Sequence, residues 1–133
     1  MKKMLFCGLA LTALAATLLS ATPKDGDEVI TKEDGMTVVN TTTLGKSVIG
    51  YVDTTPLKIY IKKNKVVKVE ALKNQETPKY MAKVKKLLLD KWNDMKVGDA
   101  QKAKVDAVTG ATFTSDAVIK NMQLGLEYYQ KHK

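Results

Sequence analysis

The residues best equipped for chemistry gather near the C-terminus, in VDAVTGATFTSDAVIKNM, residues 105 to 122. Thr109, Thr112, Thr114 and Ser115 supply hydroxyls, Asp106 a carboxylate and Gly110 a permissive backbone, just ahead of an apolar helical pattern. Glycine allows a tight or left-handed turn and the close approach of a bulky group. Thr114 and Ser115 are able N-caps, so a helix is expected to begin there. The free N–H groups at a helix start, with the positive end of its dipole, favour an anion. Two readings follow from these residues: a glycine turn and a capped helix with nothing bound, or a phosphate seat ringed by hydroxyls.

Other chemistries find little support. The chain has 133 residues, one cysteine and one histidine. Cys7 lies in the N-terminal apolar run, too early in that run for a lipid-modified cysteine. His132 is the penultimate residue, a poor place for a catalytic base or a ligand. No catalytic residues are assigned, and zinc sites and histidine-based triads are not expected. All 22 basic residues are lysine, and the formal charge is +8. Reading nucleic acid ordinarily relies on the planar arginine fork, so no nucleic-acid partner is expected. The lysines either solvate the surface or favour anionic partners such as acidic lipids, phosphates or acidic proteins.

The N-terminus has its own layout. MKKMLFCGLALTALAATLLSA begins with two lysines, runs apolar, and closes on Ser20 and Ala21. Its strongly apolar part is about 16 residues, short of the ~20 a spanning helix needs. This is the pattern of an export signal over residues 1–21, cleaved near Ala21, with an uncleaved anchor as the alternative. Such a chain is expected in the periplasm or cell envelope. It loses its only cysteine with the signal, so it folds on its hydrophobic core alone.

Residues 22–35, rich in charge and turn formers, read as a mobile leader, and 36–133 as one domain. Short strands are expected at Val38–Thr43, Ser47–Val52, Leu57–Lys62 and Val66–Leu72. The last two alternate apolar and polar residues around the turn at Lys63-Asn64, the hairpin signature, with Leu57, Ile59, Ile61, Val67 and Val69 toward a core. Thr77 and Pro78 suit the start of a helix, and the apolar spacing through Val84, Leu88, Trp92 and Met95 carries it to Gly98. Gln101–Val108 looks mildly β-like. A final helix carries an apolar stripe of Val118, Met122, Leu126 and Tyr129. The expected fold is α+β, an antiparallel sheet with two packed helices.

Asp106 to Thr112, D-A-V-T-G-A-T, resembles the Asp-x-x-Ser/Thr-Gly-Ala-Thr motif of the FMN-binding domain family, which includes the covalent-flavin subunits of the sodium-pumping NADH:quinone oxidoreductase and the Rnf complex. Gly50-Tyr51, the hairpin KKNKVVKVEAL, Glu76-Thr77-Pro78 and TSDAVI occur in the family's usual order, over most of residues 45 to 130. The resemblance implies FMN joined through its phosphate to Thr112 by a flavin transferase that takes it from FAD. It implies that Asp106, Thr109, Gly110, Ala111, Thr114 and Ser115 surround the attachment, and brings Tyr51, Glu76 and Thr77 near the flavin. It implies an electron carrier, rather than an enzyme with its own substrate, working with a membrane or extracytoplasmic redox partner. This chain lacks the transmembrane helix and large extra regions of the respiratory subunits, so it resembles a stand-alone member. The rival readings are an exported interaction module of the same fold without covalent flavin, and a small flavin-dependent reductase.

Overall fold

The structure is a computed structural model that describes residues 29–133. The export signal expected over residues 1–21, and the start of the leader, lie outside the described residues. Four strands form one antiparallel sheet in sequence order: β1 (Ile30–Glu33), β2 (Met36–Asn40), β3 (Leu57–Lys62) and β4 (Lys65–Ala71). Three helices accompany it, α1 (Pro78–Leu87), α2 (Val97–Lys102) and α3 (Thr112–His132), with a 3-10 turn at Leu89–Trp92. The fold is α+β, as the pattern of strands and helices leads one to expect.

The sheet begins earlier than expected. Ile30–Glu33, inside the segment read as a leader, pairs with β2 through a turn in which Asp34 and Gly35 take φ of 51° and 80°. This Asp-Gly pair is a hairpin signal that the surrounding charges obscured. Strand β2 ends at Asn40, not Thr43, because Thr41 turns its buried hydroxyl to accept the Leu57 N–H at 2.9 Å.

Periodicity sets the core. Val39, Leu57, Ile59, Ile61, Val66 and Val69 line the inner sheet face, where Val118, Met122 and Leu126 of α3 and Val84, Leu88 and Trp92 cover it. The strict alternation expected in β4 fails at a bulge: Ile61 pairs with Val66 but Tyr60 pairs with Lys68, so Val67 turns outward and is 38% exposed. Gly125 lets α3 lie close on the sheet; a Cβ there would sit 2.6 Å from Ile59 Cδ1 and 2.9 Å from Thr41 Cγ2.

The long helix expected from Thr77 to Gly98 is broken. It stops at Leu87, and Asp94 takes a φ of 71°. The backbone beyond serves the hairpin tip: the Val66 N–H donates to Met95 O at 2.8 Å, Asp94 N–H to Val66 O at 2.7 Å, and Val97 N–H to Asn64 O at 2.9 Å. Burial of Leu88, Leu89, Trp92 and Val97 on both sides of the break preserves a helix-like apolar spacing. Gly98, read as the stop, is the second residue of α2. Of the segment Gln101–Val108, expected to be β-like, Gln101 and Lys102 close α2 and the rest has no regular structure.

Candidate functional site

The start of α3 is built from the motif. The Ala111 N–H donates to Val108 O at 2.9 Å, closing a tight turn in which Gly110 takes a φ of 84°, a conformation glycine adopts freely. The helix then starts at Thr112, two to three residues before the caps expected at Thr114 and Ser115. Its N-cap position is Ala111, which has no side-chain oxygen, so no side chain caps the first N–H groups. The N–H groups of the first turn are therefore left to face whatever lies ahead of the helix.

The four hydroxyls have separate fates. Thr112 is exposed at the helix start. Thr114, 1% exposed, donates from Oγ1 to Glu76 Oε1 at 2.6 Å. Ser115 is fully buried, and its Oγ accepts the Val108 N–H at 3.0 Å. Thr109 is exposed, and with Asp106 it lines a groove of about 510 Å³ that also includes Leu87, Lys91, Met95 and Lys104. Thr112 lines a different cavity, about 230 Å³, with Tyr51, Tyr80, Gly110, Ala111, Phe113 and Thr114. The structure thus brings Gly110, Ala111, Thr112 and Thr114 to one cavity, sets Asp106 and Thr109 in the neighbouring groove, and turns Ser115 into the interior.

Aromatic rings make the walls of the smaller cavity. Tyr51 meets Tyr80 edge to face, with centroids 5.3 Å apart, and stacks with Phe113 at 6.1 Å and an interplanar angle of 27°. Tyr51 is 55% and Phe113 65% exposed, an unusual expense of apolar surface, and Ile49 and Val52 extend it. None of the lining side chains is charged. Lysines stand around the rim: Lys79 Nζ lies 5.3 Å from the Tyr80 ring centroid, and a Cβ on Gly110 would sit 3.1 Å from Lys83 Nζ.

Behind this wall is Glu76, 4% exposed. Its Oε1 accepts the Tyr51 N–H at 2.7 Å as well as the Thr114 hydroxyl, and its Oε2 accepts the N–H groups of Val52 and Asp53, each at 2.6 Å. Burial pushes the carboxyl up, but the Thr114 hydroxyl and the N–H groups of Asp53, Tyr51 and Val52 outweigh it and hold the carboxyl below its ordinary value. The carboxylate needs the space that Gly50 leaves, since a Cβ at that position would collide with Oε1. This also explains why Ser47–Val52 is not the expected strand. It is a chain of turns with one bridge, Ile49 to Thr54: the Val48 and Gly50 N–H groups close turns onto Gly45 O and Asp53 O, and those of Tyr51 and Val52 go to the Glu76 carboxylate.

Asn121, about two turns beyond Thr114 along α3, braces the same region. It is fully buried and donates from Nδ2 to Thr55 Oγ1 and to Ala117 O, both at 3.0 Å. Thr77, expected near the site, occupies the N-cap position of α1 without a side-chain cap bond. Among the described residues no group of three or more His, Cys, Asp or Glu gathers to hold a metal, and no helix is long and apolar enough to cross a membrane.

An aromatic-walled cavity at an uncapped helix start, with an exposed threonine in its lining, offers ring surfaces and anion-facing N–H groups side by side. The family model for the FMN-binding domain matches residues 50–127, more than half of the chain and every residue of the cavity wall. The chain belongs to the FMN-binding domain family. No curated protein and no solved structure matches it significantly.

Sequence reasoning picks out Thr112 and Gly110, assigns no role to Phe113, and reads Tyr80 only as a candidate for the apolar face of its helix. Phe113 sits inside the motif stretch, and an apolar ring between two hydroxyl residues at a helix start was the available signal. Glu76 was noted only through Glu-Thr-Pro; nothing local reveals that it reaches 25 residues back to the Tyr51 turn.

Proposed function

We propose that the protein is an exported flavoprotein that carries FMN on Thr112 through a phosphoester and passes electrons within the cell envelope. The observation that supports this most is the sorting of hydroxyls. Of the two threonines lining the aromatic cavity, Thr114 is bonded to a buried carboxylate, whereas Thr112 is exposed at the uncapped start of α3.

The residues fit the group. Tyr51, Tyr80 and Phe113 offer ring faces and edges to an isoalloxazine. The N–H groups of the first turn, with Lys83 near Gly110, offset the charge that a phosphodiester retains. In the attachment step the Thr112 hydroxyl loses its proton and its oxygen takes the FMN phosphoryl group from FAD. A P–O bond to threonine forms as the pyrophosphate P–O bond breaks and AMP leaves, with a flavin transferase supplying acid and base. When bound, the flavin supplies the electron chemistry. The chain's part is to tether it, shield one side with aromatic rings and keep the other open to a membrane or extracytoplasmic redox partner. The tether suits an exported protein, which would lose free FMN by dilution.

The test is intact mass after co-expression with a flavin transferase, beside a known acceptor domain. Wild type gains the mass of an FMN phosphoester and Thr112→Ala does not. An unmodified wild type beside a modified control overturns covalent attachment. A yellow protein that loses its colour on denaturation indicates instead an FMN-binding module of the same fold without the covalent bond.

A further inference from the structure

Glu76 is buried, ionised and absent from the attachment chemistry. Among the described residues the ion pairs are Lys58–Glu33, Lys68–Glu70 and Lys131–Glu127, so Glu76 is stabilised by hydrogen bonds and not by a cation. Its four donors come from two segments far apart in sequence. Three are consecutive backbone N–H groups of the turn that carries Tyr51, and the fourth is Thr114, two residues beyond Thr112 on α3. Within itself the turn has one isolated bridge, between Ile49 and Thr54, and one backbone bond, from the Gly50 N–H to Asp53 O at 2.8 Å, and its far end is held to α3 by the Asn121–Thr55 bond.

We propose that Glu76 is a positioning residue of the flavin site, whose carboxylate straps the Tyr51 turn to the first turn of α3 and so fixes the aromatic wall relative to Thr112. The proposal rests on the flavin reading for its purpose but not for its mechanics. Besides this strap, Tyr51 meets the cavity through ring contacts with Tyr80 and Phe113, and Phe113 is itself on α3. The wall and the attachment residue are therefore referenced to one carboxylate. Gly50 is the accommodation the sequence makes for it.

Glutamine at this position separates the strap from simple space filling. It keeps the shape, but it has one acceptor oxygen where four donors need two. One pair of donors, Tyr51 with Thr114 or Val52 with Asp53, must then face an amide NH₂. Hydrogen bonds to a charged acceptor are among the stronger ones.

The experiment has two arms on Glu76→Gln. In the flavin-free protein, amide hydrogen exchange is followed by residue. Exchange at Tyr51, Val52 and Asp53 is expected to quicken on the order of ten- to a hundredfold, while Ile59 and Val69 in the sheet stay near wild type. In the flavin-loaded protein, mass is expected to show Thr112 still modified, with the visible circular dichroism and fluorescence of the flavin changed because the Tyr51 wall is loose. Equal acceleration at the turn and the sheet, or unchanged exchange at 51–53, overturns the strap. A loosened turn with flavin spectra identical to wild type overturns its role at the site. Because the first arm contains no flavin, a wild type that takes none overturns the proposed function without touching the exchange result. Thr114→Val removes one donor and no charge, and it is read in the same way, with a smaller effect, if Glu76→Gln does not fold.

Discussion

The molecule contains two carboxylate–hydroxyl pairs that look alike on paper. On the outer face of the sheet, Tyr60 Oη donates to Glu70 Oε1 at 3.0 Å; at the start of α3, Thr114 Oγ1 donates to Glu76 Oε1 at 2.6 Å. Both carboxyls are held below their ordinary value. The surroundings differ. Glu70 has Lys68 at 3.2 Å, with both side chains about half exposed, 47% and 49%, and it joins strands that the backbone already pairs. Glu76 is buried, has no cation, and joins a turn to a helix whose other links to it are the Asn121–Thr55 hydrogen bond and the Tyr51–Phe113 ring contact. What a carboxylate contributes is thus set by what would come apart without it, more than by the number of favourable contacts it makes.

The sharpest way to break this contrast is to delete each carboxylate. Glu76→Ala leaves three backbone N–H groups and the Thr114 hydroxyl without acceptors in a buried place. It is expected to cost about 3 kcal/mol, a large share of the stability of a small domain. Glu70→Ala removes a solvated pair and is expected to cost less than about 1 kcal/mol. Urea midpoints of the two variants measure both. Equal losses would mean that burial and connectivity do not distinguish the sites.

Acid sharpens the same comparison. A carboxyl whose folded pKa is depressed binds its proton less readily in the folded state. It contributes stability above its unfolded pKa, about 4.3 for glutamate, and that contribution is lost as pH falls through the folded value. Both Glu70 and Glu76 have this sign, but only Glu76 releases a buried turn on protonation. Wild type is therefore expected to lose stability below about pH 4, with exchange at Tyr51 to Asp53 rising before that of the sheet. Glu76→Gln should lack that part of the acid loss, whereas Glu70→Gln should keep it. A wild-type profile that parallels that of Glu76→Gln would remove Glu76 from the acid response.

The same contrast explains how much was legible in the sequence. The hairpin of β3 and β4, the α+β class and the place of Thr112 follow from alternation, helix spacing and the motif, which are local signals. The failures are non-local. Ser47–Val52 has the composition of a strand, but a carboxylate 24 residues downstream of Val52 takes the N–H groups of Tyr51 and Val52. The segment after Leu87 has the spacing of a continuing helix, but the hairpin tip recruits its backbone. Thr114 and Ser115 look like caps, yet the glycine turn starts the helix at Thr112 and rotates both hydroxyls inward, onto Glu76 and the Val108 N–H. In each case a tertiary hydrogen bond overrode a local preference, and single-residue propensities carry no trace of the partner.

The smallest expected effect belongs to the outer pair, and it is visible by titration more than by stability. Tyr60 is 6% exposed, and burial, then the hydrogen bond to Glu70, then the charges of Glu70, Glu33 and Asp34 push its phenol up to about 12. A phenol raised in the folded state holds its proton there more tightly. Its contribution is present below the unfolded value of about 10 and is lost as pH rises from there through 12. Ultraviolet absorbance of tyrosinate should therefore show a phenol titrating near 12 in wild type. Glu70→Gln removes the acceptor's charge but not the burial, so Tyr60 should move down part of the way and stay above the unfolded value of about 10. The stability change should stay within a few tenths of a kcal/mol near neutral pH, where the phenol is protonated in both variants and the carboxylate is half solvated. If Tyr60 instead titrates near its unfolded value of about 10 in wild type, the outer face is more open than its burial indicates. If Glu70→Gln costs as much as the loss of Glu76, connectivity is not what separates the two carboxylates.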